Sequence, residues 1–307
     1  MKIYEGLQEF GSVSNPVVTS GTFDGVHLGH QKILLRLKEI AKSIGGETVL
    51  LTFWPHPRLV LYPKEHNLRL LSTFEEKAKL LRDFGIDHLI SIPFTKEFSQ
   101  MTSHQFIQEV IKKKIGTKKL VIGYDHRFGK NREGSFEYLQ ENSSAFGFEL
   151  EEISRQDVDA IGVSSTKIRR ALESGEVSTA NQYLGRPYEL NGLVIKGQQI
   201  GRSIGFPTAN IHIPNDYKLI PKDGVYAVRA LVLGKLYNAM LNIGNRPTVD
   251  GSKKTVEAHL FDFQGNLYDQ QITIYLEFYL REERKFENLA GLKAQLLIDQ
   301  EEAKSRL

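Results

Sequence analysis

Residues 21–30 read Gly-Thr-Phe-Asp-Gly-Val-His-Leu-Gly-His, a glycine-rich stretch with two imidazoles three positions apart. If the segment opens a helix, His27 and His30 share one face of it. Glycines at 21, 25 and 29 let a ligand approach the backbone closely, and the free N–H groups of a helix N-terminus attract phosphate. Gly21, Thr22, Phe23, Asp24 and Gly25 are therefore candidates for a phosphate cradle. Two imidazoles beside such a cradle can steady the charge that develops during attack at an α-phosphate.

Two further constellations have the same character. Phe53-Trp54-Pro55-His56-Pro57 combines rings that can stack on a planar group with prolines that stiffen the loop. Gly123-Tyr124-Asp125-His126-Arg127-Phe128-Gly129 carries a carboxylate that can bond a ribose or a flavin edge, and cations, Arg127 among them, that can meet phosphate. Ser164, Ser165 and Thr166 can either cap the next helix or receive phosphate, with Arg169 one turn further on.

The C-terminal part has its own candidates. Gly197 to Asn210 is glycine-rich, and Thr208 and Asn210, two apart on an extended segment, project to one face. Their oxygens suit Mg2+ held jointly with ATP phosphates. Glu257 shares a strand face with Thr255 and His259, where a carboxylate can take the proton of a primary alcohol attacking a γ-phosphate.

Positioning these groups requires two kinds of element. Val17–Thr19, Thr48–Phe53, His88–Ile92 and Lys119–Gly123 read as strands, and helices are expected from Ile33 onward and from Thr73 to about Phe84, where Gly85 stops the chain. Strands alternating with helices predict a mostly parallel, Rossmann-like α/β sheet. The loops at Gly21, Phe53 and Gly123 all follow strands, so they converge at the carboxyl ends, where such sheets bind ligands. Beyond Leu184 the apolar period shortens to two. Gly224–Ala230, Leu236–Leu241, Lys254–Phe263 and Ile272–Leu280 read as strands of a small antiparallel barrel, with a hairpin at Gly234-Lys235 and a terminal helix over Asn288–Lys304. The expected domains are 1–184 and 185–307.

Composition narrows the function classes. A net charge of +3 and a pI near 8.8 suit anionic small ligands, and no dense basic tract points to nucleic acid. Lys112–Lys114 reads as a solvated helix end. Without cysteine there is neither a disulfide nor a thiolate metal site, which fits a reducing cytoplasm. The first residues lack the apolar core of a signal peptide, and no stretch reaches the ~20 apolar residues of a membrane span.

The first motif resembles the nucleotidyltransferase signature. Together with Phe-x-Pro-His-Pro, Gly-x-Asp-x-Arg-Phe-Gly and Ser-Ser-Thr-x-Ile-Arg it resembles the adenylyltransferase module of the prokaryotic bifunctional FAD synthetases. The C-terminal segments resemble the riboflavin kinase module of the same family: Gly-x-x-x-Gly-Arg-x-x-Gly-Phe-Pro-Thr-Ala-Asn, Asn242-Ile243-Gly244, Glu257-x-His259-x-x-Asp262 and Leu280-Arg281-x-Glu283. The resemblance implies phosphorylation of riboflavin to FMN, then adenylylation of FMN by ATP to FAD with release of pyrophosphate. It implies that His27 and His30 act on ATP, with Ser164, Ser165, Thr166 and Arg169 near its phosphates. Phe53, Pro55, His56, Pro57, Asp125 and Arg127 would lie near the flavin of that module. In the kinase it implies ATP at Gly201, Arg202, Gly205, Phe206, Pro207, Thr208 and Asn210, Mg2+ at Thr208 and Asn210, Glu257 as base and Arg281 at the flavin. His126 and Val249 depart from the family, which usually has Phe at the first and often at the second. The alternatives are a single-activity adenylyltransferase paralogue and a non-catalytic flavin- or nucleotide-binding regulator. Partners are small molecules, with neither nucleic acid nor membrane expected; oligomeric state is not legible.

Overall fold

Apolar runs without strict alternation make strands buried on both faces, the signature of a covered parallel sheet. In the computed structural model, which describes residues 1–62, 68–124, 126–153, 162–197, 200–248 and 251–307, the expected strands form such a sheet. β1 (Lys2–Glu5), β2 (Val17–Ser20), β3 (Thr48–Trp54), β4 (His88–Pro93), β5 (Lys119–Gly123) and β6 (Glu149–Ile153) run parallel in the order β1-β4-β3-β2-β5-β6. β1 and β6, the edge strands, were not read from sequence. Both are polar, and pairing rather than an apolar run creates them.

The period of two assigns alternate residues to opposite faces. Val18, Val49, Leu51, Ile90, Leu120 and Ile122 pack on one side. Val17, Leu50, Leu89 and Val121 pack on the other, against α1 (Leu28–Ser43) and α2 (Phe74–Asp83). Thr73 and Glu76 close a capping box that starts α2. The lysine run 112–114 ends a helix, Phe106–Lys114, as expected.

Two compact units divide the chain, Met1–Ser165 and Thr166–Leu307. The helices Ser165–Ser174 and Val177–Leu184 fall almost wholly in the second unit, while the change of apolar period lies beyond them, after Leu184. The second unit is built on a closed barrel, β10-β11-β8-β7-β12-β9. Its strands are β7 (Tyr188–Ile195), β8 (Ala209–His212), β9 (Gly224–Val232), β10 (Lys235–Thr248), β11 (Gly251–Leu260) and β12 (Gln271–Arg281). The terminal helix, Leu289–Arg306, is capped by Asn288.

Two local expectations shift. The β9–β10 turn is Leu233-Gly234, one residue earlier than read, because Val232 pairs with Lys235 and both turn residues take positive φ. β11 stops at Leu260 rather than Phe263, since the chain turns through Asp262 at φ 57°.

Candidate active sites

The first site lies where the strand order reverses, between β2 and β5. Side chains knit its loops to the carboxyl ends of the strands. Ser20 Oγ, at the end of β2, is 3.1 Å from His126 Nε2 on the loop after β5. Thr52 of β3 donates to the Thr22 carbonyl at 3.4 Å. Ser165 Oγ donates to the Asp24 carbonyl at 3.1 Å, joining the serine segment to the glycine-rich loop.

His27 is the N-cap of α1, and its Nδ1 accepts the His30 backbone N–H at 3.4 Å. A ring that accepts at Nδ1 carries its proton on Nε2 when neutral, leaving Nε2 as the donor end. The His27 and His30 rings stack at 3.7 Å, and Phe23 packs on His30 at 4.9 Å. The loop itself is strained. Phe23 (φ 47°) and Val26 (φ 39°) hold left-handed backbone that bulky residues avoid, at a cost of about 1–3 kcal/mol each. Their burial, with the ring of Phe23 beside Gly21, locks them there. Gly21 thus makes room for a ring of the protein itself.

Asp24 is among the residues expected at the phosphates. Its buried carboxylate accepts the backbone N–H groups of Leu71 (2.9 Å) and Ser72 (3.1 Å). Burying a carboxylate demands such partners, so Asp24 fixes the loop frame. Phe53 is half-buried among Phe94, Phe98 and Phe106, which makes its ring part of the core wall. His56 caps the short helical turn Pro57–Leu61 by accepting the Arg58 N–H, and Pro55 is exposed. Arg127 is exposed and meets Glu137 at 3.5 Å. Burial and the charge of Arg132 push the His126 pKa down to about 4, so this imidazole is neutral at physiological pH. Asp125 lies outside the described residues, as does Val249. Ser164 is half-buried; Thr166 and Arg169 follow Ser165 on its helix and belong to the second unit.

In the barrel, β8 and β11 pair with Asn210 opposite Glu257, and Thr208 Oγ1 donates to Glu257 at 3.4 Å. Directly opposed residues share a face, so the three oxygen-bearing side chains picked out by sequence form one cluster. The loop that leads to it is tightly wound. Phe206 N–H donates to the Gly201 carbonyl at 2.8 Å, and a Cβ on Gly201 would collide with the Phe206 carbonyl. Gly205 takes φ 90°, open only to glycine at little cost. Phe206 is buried against His259, whose Nδ1 lies 2.8 Å from the Pro207 carbonyl. Burial lowers the His259 pKa, offset only in part by that bond. His259 therefore ties the loop to β11.

Beside the cluster is a cavity of about 380 Å³, lined among others by Arg202, Pro207, Thr208, Ala209, Phe263 and Tyr268. Sequence reasoning missed the two aromatics, because only the closed barrel brings their loop beside Thr208. Arg281, expected at the flavin, reaches the terminal helix. Its guanidinium forms a bidentate pair with Asp299 of the terminal helix, at 2.8 and 2.6 Å, with Gln295 also donating to Asp299. Asp299 is 1% exposed. Stranding one partner of a buried pair is costly, so Asp299→Ala is expected to destabilise the barrel unit by about 3–5 kcal/mol. Urea titration followed by retained FMN formation reads this directly.

A parallel-sheet unit with a phosphate-type loop at its switch point, joined to a barrel with an oxygen-rich cluster, defines a two-module transferase. Residues 11–167 match the family model for FAD synthetase, and residues 184–307 that for riboflavin kinase. The chain belongs to the bifunctional riboflavin kinase/FMN adenylyltransferase family. The protein of that description from Listeria monocytogenes is 38% identical over 95% of this chain and 92% of its own length. The one from Haemophilus influenzae is 37% identical over 99% of both. A solved Streptococcus pneumoniae structure, described as a macrolide-efflux protein, superposes with a TM-score of 0.89 at 29% identity, over 99% of this chain and 98% of that one. Among the described residues of this chain, no helix is long and apolar enough to cross a membrane.

Proposed function

We propose that this chain converts riboflavin to FAD in two ATP-dependent steps, one on each unit. The barrel transfers the γ-phosphoryl group of ATP to the ribityl 5′-hydroxyl, giving FMN and ADP. The sheet unit then joins FMN to the adenylyl group of a second ATP, giving FAD and pyrophosphate. The observation that carries this reading is that each half of the chain matches its own module and holds its own polar cluster.

In the kinase step Glu257 takes the hydroxyl proton as the oxygen attacks, and Thr208 orients the carboxylate through their hydrogen bond. The wound loop and Arg202 receive the nucleotide phosphates, while Phe263 and Tyr268 offer ring faces to the base. The hard oxygens of Thr208 and Asn210 fit Mg2+, which prefers few protein ligands and shares the rest with phosphate and water. When bound there it would neutralise phosphate charge. In the adenylylation step the FMN phosphate displaces pyrophosphate from the α-phosphorus. His27, His30 and the loop N–H groups stabilise the charge that builds on the triphosphate, and Ser164 and Ser165 extend that anion site. The flavin lies toward Pro55–Pro57 and Arg127. A cytoplasmic location fits these substrates.

Incubating the chain with riboflavin, ATP and Mg2+ and separating the flavins over time tests the reading. FMN appearing first and FAD second is expected. A chain that yields FMN alone, even when FMN is supplied, would overturn the second step; unchanged riboflavin with ATP present would overturn the first.

A further inference from the structure

The capping box at Thr73 sets the phase of α2, so residues 74, 77, 78 and 81 turn toward the sheet. Phe74, Ala78 and Leu81 suit that face; Lys77 does not, yet it is 4% exposed. Its Nζ donates to the Thr22 carbonyl at 3.1 Å and to Thr52 Oγ1 at 2.9 Å. The ammonium also lies 5.6 Å from the Trp54 ring and 5.8 Å from the Phe74 ring. A cation is buried at this cost only where partners or function retain it.

Thr22 lies in the glycine-rich loop, immediately before strained Phe23. An anion cradle works when its N–H groups face the ligand and its carbonyls are turned away. Holding the Thr22 carbonyl on a buried ammonium does this, and it also places a positive charge behind the loop. Asp24 clamps the same loop through Leu71 and Ser72 on the segment that leads into α2. We infer that Lys77 is a positioning residue for adenylyl transfer, pinning the phosphate loop from beneath through the Thr22 carbonyl and supplying charge to the bound triphosphate. The inference rests on the loop's proposed role as the ATP-phosphate site.

The charge on Lys77 is within reach of titration. Burial lowers its pKa to about 8, with the Asp24 carboxylate opposing the shift. The loop faces it with Asp24; β3 faces it with uncharged Thr52 and Trp54. On α2 the neighbouring Glu76 spends its carboxylate on the Thr73 N–H, and His27 and His30 stack on one another at the start of α1. A lysine loses its charge as pH rises, and the lowered pKa brings that loss down to about pH 8. ATP binding favours the charged form, so the loss belongs to the free enzyme and shows in kcat/KM for ATP before it shows in kcat.

Lys77→Met in the full chain is expected to lower kcat/KM for FAD formation from FMN by about 100-fold, and to leave FMN formation from riboflavin within about twofold. For the unaltered enzyme, kcat/KM for ATP in adenylyl transfer should fall as pH rises through about 8. The kinase reaction, which uses the same ATP, should lack that limb. Full adenylyl transfer by Lys77→Met would overturn the inference, and so would a flat wild-type profile, which needs no variant to fold. Failure of the loop's ATP role reads separately: the His27→Ala, His30→Ala double variant would keep making FAD.

Discussion

Replacing His27 and His30 together by alanine is expected to lower FAD formation from FMN by about 1,000-fold or more, at about 100- to 1,000-fold per lost stabilising donor. FMN formation from riboflavin should be unchanged. The His27 ring stacks on His30 at 3.7 Å and anchors to its backbone N–H, so each orients the other and their single losses will not sum. Both lie in the first compact unit, whereas the kinase cluster lies in the second. Supplying riboflavin and FMN in separate assays resolves the two activities in one preparation. Loss of both reactions would mean that the two sites do not act independently.

Glu257→Ala should produce the opposite split. A positioned base contributes about 100- to 10,000-fold, so FMN formation from riboflavin should drop by about that factor while FAD formation from added FMN persists. Thr208 and Asn210 would keep their places on β8 and its approach, since the backbone ladder between β8 and β11 does not depend on the carboxylate. KM for ATP is therefore expected to change less than kcat. A variant that phosphorylates riboflavin at the wild-type rate would remove Glu257 as the base and turn attention to the nearby carboxylate of Glu283, which accepts from Asn242 at 3.2 Å.

The two predictions are symmetrical because the chemistry sits on separate scaffolds that local sequence already announces. A strand, a glycine-rich turn and a helix start are contiguous, so His27, His30 and their loop are legible without any long-range information. The same holds for Thr208 and Asn210, whose spacing on an extended segment fixes a common face. Edge strands β1 and β6 escaped because their residues are polar and only a neighbour makes them strands. Lys77 escaped for a related reason: a lysine in a charged helix reads as solvated until the helix phase and the sheet beneath it are known.

Residue type and spacing alone therefore determined an α/β unit followed by a small barrel, and the family resemblance of their motifs implied the chemistry now proposed for each. Tertiary structure decided which way the side chains are spent. The buried carboxylate of Asp24 takes backbone N–H groups, and the buried carboxylate of Asp299 draws the Arg281 guanidinium onto the terminal helix. Glu257 becomes a neighbour of Thr208 and Asn210 only because β8 and β11, far apart in the chain, pair with one another. Such pairings depend on closing the barrel, where each strand finds its register against the whole set of buried faces. No short window of sequence holds that information.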